Sequence, residues 1–318
     1  MSVNLVIVGG TVVDFVLPRV TRLPSWPRHT ESTPDNLVRL RRAPIMTLGG
    51  NGANAAYVAA RCGATVTLHT LLGADALGGF ARGWLEDAGC GVQVPGRVKA
   101  TAVNITAANS RQERAVFYYA GEAPAMPAIM TARLIPNHLL VCGWPHPPLE
   151  EMGKELGRAH QAGVFTALDA GPILERPWTM TALRPVFAGL DLFLANDYEL
   201  RQITGMARLD GALARLRTGF AGHVVVKRGA EGALWLPAGS DFPQHAPGRR
   251  VRVINTVGAG DSFNGALLAG LAQGGAFPDV LHAACATAAS VVASRRGVLG
   301  VRPPRATRQL QSIGDQSL

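Results

Sequence analysis

The sequence predicts an α/β protein: a three-layer α/β/α sandwich on a mostly parallel sheet, with a small β lid. Three observations carry this. Short runs of β-branched residues and leucine alternate with helix-length segments along most of the chain, the pattern of a parallel sheet covered on both faces. The turns between them draw on 37 glycines, many in Gly-Ala pairs, which suit tight strand-to-helix connections. Two stretches, residues 17–46 and 101–119, break the rhythm and are expected to leave the main sheet and form the lid.

Taken in order, residues 3–8 form a buried strand closed by Gly9-Gly10. Asp14 follows, at the strand end where open parallel sheets hold their ligands; a solvated turn aspartate is the other reading. Residues 17–46 hold five prolines, several arginines and little helical period. The glycine cluster Gly49-Gly50-Asn51-Gly52-Ala53-Asn54 then opens an alanine-rich helix that Gly63 ends. Asn51 and Asn54 stand at its mouth, where amides can fix the hydroxyls of a polyol. A strand over 64–72 and a helix from Gly73 to Gly89 come next.

Residues 101–119 alternate apolar and polar around a turn at 109–113, a hairpin signal. Strands are then expected at 138–143, 164–170, 190–195 and 223–227, with helices at 149–162, at 185–189 and from Asp197. Residues 233–237 pair back through the Gly229–Gly232 turn. An apolar strand-like run, 251–254, leads into Gly258-Ala259-Gly260-Asp261, and a long helix of small residues covers 280–295. One domain over 1–302 accounts for these elements, with lid segments at about 12–46 and 99–120 and a polar tail at 303–318.

Composition narrows the functional class. With 318 residues, 47% of them hydrophobic and 17% charged, the chain is long enough for a large core. Its four cysteines, Cys62, Cys90, Cys142 and Cys285, lack metal-ligand spacing and lie in apolar neighbourhoods, so free buried thiols in a reducing cytoplasm are expected. The first residues have no basic leader, and no apolar run is long enough to span a membrane; cytoplasmic location without a membrane partner follows as an expectation. The net charge of +9 comes from scattered arginines. Small clusters at Arg41-Arg42, Arg249-Arg250 and Arg295-Arg296 lack the interleaved aromatics of a nucleic-acid surface, so attraction to anionic substrates explains the charge better.

The chemistry concentrates in the turn at 258–261. Gly258 and Gly260 allow close approach of the backbone to a ligand, and the N–H groups of Gly258, Ala259 and Gly260 open a helix, a ready anion hole. Asp261 beside such a hole suits a base that takes a proton from an attacking hydroxyl; alone it reads equally as a helix cap. Asn196 and Glu199, in Ala195-Asn196-Asp197-Tyr198-Glu199, share a helix's first turn. They can form a capping box, and Glu199 can also hold Mg²⁺ through water beside phosphates. Lys227, Gly229 and Gly232 end a strand in a cation and a glycine turn. Two familiar nucleotide motifs fail. The helix-opening Gly-Lys-Ser/Thr of a P-loop is missing, and Phe263 stands where a dinucleotide fingerprint needs its third glycine. The eight histidines are dispersed and form no Ser-His-Asp set readable from spacing.

Together, Gly49-Gly50-Asn51-Gly52-Ala53-Asn54, Asn196-x-x-Glu199, Lys227-x-Gly229 and Asn255-Thr256-Val257-Gly258-Ala259-Gly260-Asp261-Ser262-Phe263-Asn264-Gly265-Ala266 resemble the ribokinase-like (PfkB) carbohydrate kinases, over nearly the whole chain. The resemblance implies the ribokinase-like fold and ATP-dependent transfer of the γ-phosphoryl group to a hydroxyl of a sugar or nucleoside. It implies Asp261 as base, the Gly258–Gly260 turn as anion hole, and Asn196 and Glu199 organising Mg²⁺ and phosphates. Lys227 and Gly229 would border the nucleotide, with Ala284, Ala288 and Val291 near adenine. Asp14, Gly50, Asn51 and Asn54 would hold the substrate, with Phe117 and Trp144 at strand ends around it. Trp144 could stack on a sugar or base face, or pack in the core. K⁺ is a further cofactor implied at Asn255, where the family usually carries aspartate; asparagine keeps a carbonyl and loses the charge. Asn51 replaces a lysine frequent in ribokinases and sugar-phosphate members, which counts weakly against both substrates. The lid's unpaired edges suggest a homodimer. The alternative is a non-catalytic sugar or nucleoside sensor on the same fold, which would have no use for Asp261.

Overall fold

Leu5 and Ile7 on one face and Val6 and Val8 on the other anchor β1 (Asn4–Gly9) between two apolar layers. The computed structural model describes residues 4–20, 38, 40–109, 114–121, 136–142, 148–171 and 178–302. Within these, β2 (Val12–Val20), β3 (Ile45–Gly49), α1 (Asn51–Arg61), β4 (Thr65–His69), α2 (Ala76–Asp87) and β5 (Cys90–Gln93) come first. They are followed by β6 (Ala102–Asn109), β7 (Arg114–Tyr119), β8 (His138–Cys142), α3 (Leu149–Gln161), β9 (Phe165–Asp169), α4 (Arg184–Phe187) and β10 (Leu192–Asn196). Next are α5 (Asp197–Thr204), α6 (Leu209–Arg217), β11 (His223–Lys227), β12 (Ala233–Leu236), β13 (Gln244–Ala246), α7 (Ala259–Ala272) and α8 (Phe277–Val292).

The main sheet has nine strands in the order β13-β12-β11-β10-β9-β8-β1-β4-β5. From β11 to β5 every pairing is parallel, and only the β11–β12 and β12–β13 pairings, at one edge, are antiparallel. Near-continuous apolar strands such as Leu192-Phe193-Leu194-Ala195 follow from burial on both faces. One core lies against α1, α2, α7 and α8, and includes Leu5, Ile7, Leu140 and Leu267. The other lies against α3 to α6, and includes Val6, Leu139, Met152 and Phe193. That is the three-layer sandwich expected from the sequence. The four cysteines are buried free thiols, also as expected.

The two segments that break the rhythm meet in a second sheet, ordered β3-β2-β6-β7. It is mixed rather than purely antiparallel, because β2 and β6 run parallel. Register partners share a face, so Asp14, Asn104 and Tyr118 stand on one side and Phe15, Ile105 and Phe117 on the other.

Some elements differ from expectation. Residues 251–254 form no strand. Val253 and Ile254 are 62% and 47% exposed, and the N–H groups of Ile254 and Asn255 both donate to the Val292 carbonyl at the end of α8. Arginines at 249, 250 and 252 interrupt the apolar run, so neither side can be buried in a sheet. Their place at the sheet edge is taken by β13, which, with β5 and α6, is too short or too polar to stand out by period. The helix expected at 185–189 is a single turn, α4. The expected tail at 303–318 lies outside the described residues.

Candidate active site

The carboxyl ends of β1, β9, β10 and β11 and the first turns of α1, α5 and α7 meet across the carboxyl-terminal end of the main sheet. Gly258 starts α7 in the left-handed region (φ 76°), a conformation that costs glycine little. Ser262 donates backbone and side-chain bonds to the Gly258 carbonyl, which locks the first turn. The N–H groups at this end have no intrahelical acceptor; Ala259 makes only a 3.4 Å bond to Thr256.

Asp261, in that turn, accepts on Oδ2 from the Asn54 amide at 2.9 Å. Among the described residues its other oxygen receives no such bond. Burial pushes its carboxyl above the usual aspartate range, and the Asp169 charge adds to that, while Asn54 and Lys227 pull it back. Asn54 is only 2% exposed and its Oδ1 is buried without a partner. α1 brings Asn54 here by starting hard against the end of β1. At Gly50 (φ 87°), a Cβ would fall 2.5 Å from the Gly10 carbonyl oxygen, so this turn admits only glycine.

Lys227 closes the opposite side. Its ammonium lies 2.6 Å from Asp169 Oδ1 and 3.3 Å from Asn264 Oδ1. Burial pulls its pKa down, yet Asp169, Glu199 and Asp261 outweigh this and hold it above the usual lysine range. Asn196 and Glu199 form the expected capping box, with both bonds at 2.8 Å. Burial, with the Asp169 charge next, raises the Glu199 carboxyl. Gly171 leaves room for it: a Cβ there would fall 1.9 Å from Glu199 Oε1. The Asn51 amide donates to the Gly171 carbonyl at 2.9 Å, which ties α1 to the end of β9.

On the second sheet, Asp14 is 5% exposed and accepts from Asn104 Nδ2 at 3.1 Å. Burial lifts its pKa to about 6; Asn104 opposes this and the Asp261 charge adds to it. Gly10, Thr11, Gly50, Asn51 and Tyr118 border a cavity of about 50 Å³ beside this group.

Asp14, Gly50, Asn51, Asn54, Asn196, Glu199, Lys227 and the 258–261 turn therefore cluster. Others do not join them as expected. The register turns Phe117 to the face opposite Asp14, and Tyr118 is the aromatic on the Asp14 side. Ala284 and Val291 have no exposed surface, because they pack in the core between α7 and α8; Ala288 is half-buried on the same helix. Gly229 opens a short 3₁₀ turn that ends at the buried Gly232, where a Cβ would fall 2.1 Å from the Ala246 carbonyl oxygen. Trp144 lies outside the described residues. Three residues escaped sequence reasoning: Asp169, Asn104 and Tyr118. Asp169 ends a strand in the same sense as Asn196, and strand alternation from Asp14 leads to the other two, so the signals were present.

Among the described residues, no group of three His, Cys, Asp or Glu side chains could ligate a metal directly. A Mg²⁺ ion held through water near Glu199 and shared with phosphates fits the acidic surroundings. At Asn255 the side chain would offer K⁺ a carbonyl oxygen but no charge, and that Oδ1 accepts from the Val257 N–H at 3.0 Å.

The family model for "pfkB family carbohydrate kinase" matches residues 4–301. The chain belongs to this family. It is thus a sugar kinase of the pfkB family, a phosphotransferase with an alcohol group as acceptor. Among curated relatives, mouse ribokinase is 28% identical over 69% of each chain. Arabidopsis thaliana ribokinase is 27% identical over 81% of this chain and 70% of the relative. The 1-phosphofructokinase of Escherichia coli K12 is 37% identical, but over only 32% of each chain. The structure of Arabidopsis ribokinase complexed with ribose and ATP superposes with a TM-score of 0.81 at 22% identity, covering 98% of this chain and 99% of that one. The ribokinase of Cryptococcus neoformans in complex with ADP gives 0.74, also at 22% identity. These superpositions establish the ribokinase-like fold for this pfkB kinase. No helix among its described residues is long and apolar enough to cross a membrane.

Proposed function

We propose that this pfkB kinase transfers the γ-phosphoryl group of ATP to a hydroxyl of a sugar or nucleoside, with Asp261 as base. The observation that carries the proposal is the Asp261 carboxylate itself. One oxygen is fixed by Asn54, the other is open, and the same helix turn presents the unpaired N–H groups of an anion hole. The acceptor oxygen attacks Pγ and forms the new O–P bond while the bond from Pγ to the β,γ-bridging oxygen breaks. Its electron pair leaves with ADP, and the acceptor proton passes to Asp261. Phosphoryl transfer asks a protein mainly for positioning and charge stabilisation. The Gly258–Gly260 amides supply the second, while Asp14, Gly50, Asn51 and Asn54 supply the first under the second sheet, acting as lid.

Glu199 would hold Mg²⁺ through water, and the ion would neutralise phosphate charge when bound. Asn196 fixes the Glu199 rotamer through the capping box. Lys227 and Gly229 border the nucleotide, and Ala288, half-buried where Ala284 and Val291 are fully buried, is the one of the three that leaves surface for adenine.

Asp261→Asn keeps the Asn54 contact geometry and removes the base. Its kcat should fall about 10²–10⁴-fold, the usual loss for a general base, with ATP-analogue binding by calorimetry nearly unchanged. Turnover at the wild-type rate would sink the assignment.

A further inference from the structure

Lys227 and Asp169 form an ion pair in the middle of this site, with side chains only 14% and 3% exposed. The strand order puts β10 between their strands, so the lysine reaches across the carboxyl end of a neighbour, about 10 Å in strand spacing, to meet Asp169. A pair kept for stability alone would be replaced by apolar residues at no loss, and ordering a lysine side chain carries a substantial entropy cost. Where the ammonium ends up is informative. A Cβ at Gly260 would lie 3.7 Å from Lys227 Nζ, so the cation sits directly under the anion turn. Asn264, one helical turn beyond Gly260, accepts its second bond at 3.3 Å.

The residue type points the same way. The chain has 28 arginines and only three lysines, Lys99, Lys154 and Lys227. Where a positive charge is needed elsewhere, arginine supplies it. Lysine is a compact point charge that a planar guanidinium cannot replace in a small space, and here it stands beside the one turn built for a phosphoryl group.

We propose that Lys227 is a built-in cation that contacts the transferring phosphoryl group from beneath the Gly258–Gly260 turn, and that Asp169 is the positioning residue that holds it there and off Asp261. The inference rests on Asp261 as base and adds no reactant to the step written above. As the O–Pγ bond to ADP breaks, negative charge on the phosphoryl oxygens is shared between the turn's N–H groups and the ammonium. Four charged groups face Asp261 or one another here: Asp14 from β2, Asp169 from β9, Glu199 from α5 and Lys227 from β11. One ammonium among them must be shared, and Asp169 holds the nearest claim. Without Asp169, Asp261 becomes the competing partner, and a base paired to a fixed cation is a poorer base.

The test is the pH dependence of kcat/KM in two near-isosteric variants. Lys227→Met removes a cation near Asp261, so the acid limb should move to higher pH, with kcat lowered about 10²–10³-fold, the usual cost of one donor to developing charge. Asp169→Asn frees the ammonium toward Asp261, so the acid limb should move to lower pH, with a smaller fall in kcat. A purely structural pair would lower the melting temperature of both variants and leave kcat within about twofold, since the limb follows the two charges in either case; that result would overturn the proposal. Should either variant fail to fold, the unaltered enzyme labelled with [ε-¹³C]lysine gives three resonances to follow. One should shift with Mg²⁺ and a non-hydrolysable ATP analogue and not with AMP; no such difference would overturn the proposal. Asp261→Asn run alongside keeps the two ideas apart. An inactive Asp261→Asn with near-normal kcat in Lys227→Met removes the role of Lys227 and Asp169 only, whereas an active one removes the base.

Discussion

Asp14 holds its proton into the range of neutral solution because its carboxyl is buried, and the Asp261 charge reinforces this. A folded-state pKa of about 6 against the ordinary 3.8 means that the native chain binds this proton more tightly than the unfolded chain. Stability from it is fully present below the unfolded value and is lost as pH rises through about 6. At roughly 1.4 kcal/mol per pKa unit, the loss approaches about 3 kcal/mol. Asp14→Asn should therefore raise stability more at pH 8 than at pH 5, read by urea denaturation at both. An equal gain at the two values would refute the burial account. In its proposed role Asp14 is a charged acceptor for substrate hydroxyls, and on that proposal the same variant should raise acceptor KM roughly 10–100-fold, from about 1.5–3 kcal/mol for such a bond. Function here is bought with stability, as is common at sites that store strain or charge.

At the scale of elements, the site depends on α7 lying close against α1. A Cβ at Gly265 would fall 2.2 Å from the Ala55 carbonyl oxygen, so the helices meet backbone to backbone, and this contact brings Asn54 to Asp261. Gly265→Ala should cost about 1–3 kcal/mol, the usual range for overpacking, measured by chemical denaturation. It should also lower kcat by loosening the Asn54–Asp261 bond. A variant as stable and as active as the parent would contradict the packing argument. The sequence made the strands and the glycine-opened helices legible, because burial on two faces writes long apolar runs and close approach writes glycine. Asn54, Asn196 and Glu199 could be read for the same reason: each sits at a strand end or in a helix's first turn. Asp14, expected at a strand end, lies inside β2. Residues 251–254 misled because an apolar run exposed in a loop looks like a strand until its neighbours are known. Phe117 misled because a hairpin's period sets alternation but not which face looks inward; only pairing with Asp14 and Asn104 decides that. Asp169 and Lys227 meet across an intervening strand, a contact that one-dimensional spacing does not encode.

For the whole molecule, the second sheet leaves Ile105, Phe117 and Tyr119 exposed on the face away from Asp14, an apolar surface unusual for an isolated chain. We expect a homodimer through this face. Sedimentation equilibrium should give twice the chain mass, and Phe117→Asp should shift it toward the monomer; a monomeric parent would dispose of the idea. The connection between the two sheets has a further effect. Only Gly10 and Thr11 separate β1 from β2, so an interior strand of the body runs almost directly into the strand that carries Asp14. Any swing of the small sheet about that two-residue joint displaces Asp14 relative to Asp261. Aperture and grip are thus geared together, and a dye pair placed on the small sheet and the body would register occupancy of the acceptor site as a change in distance.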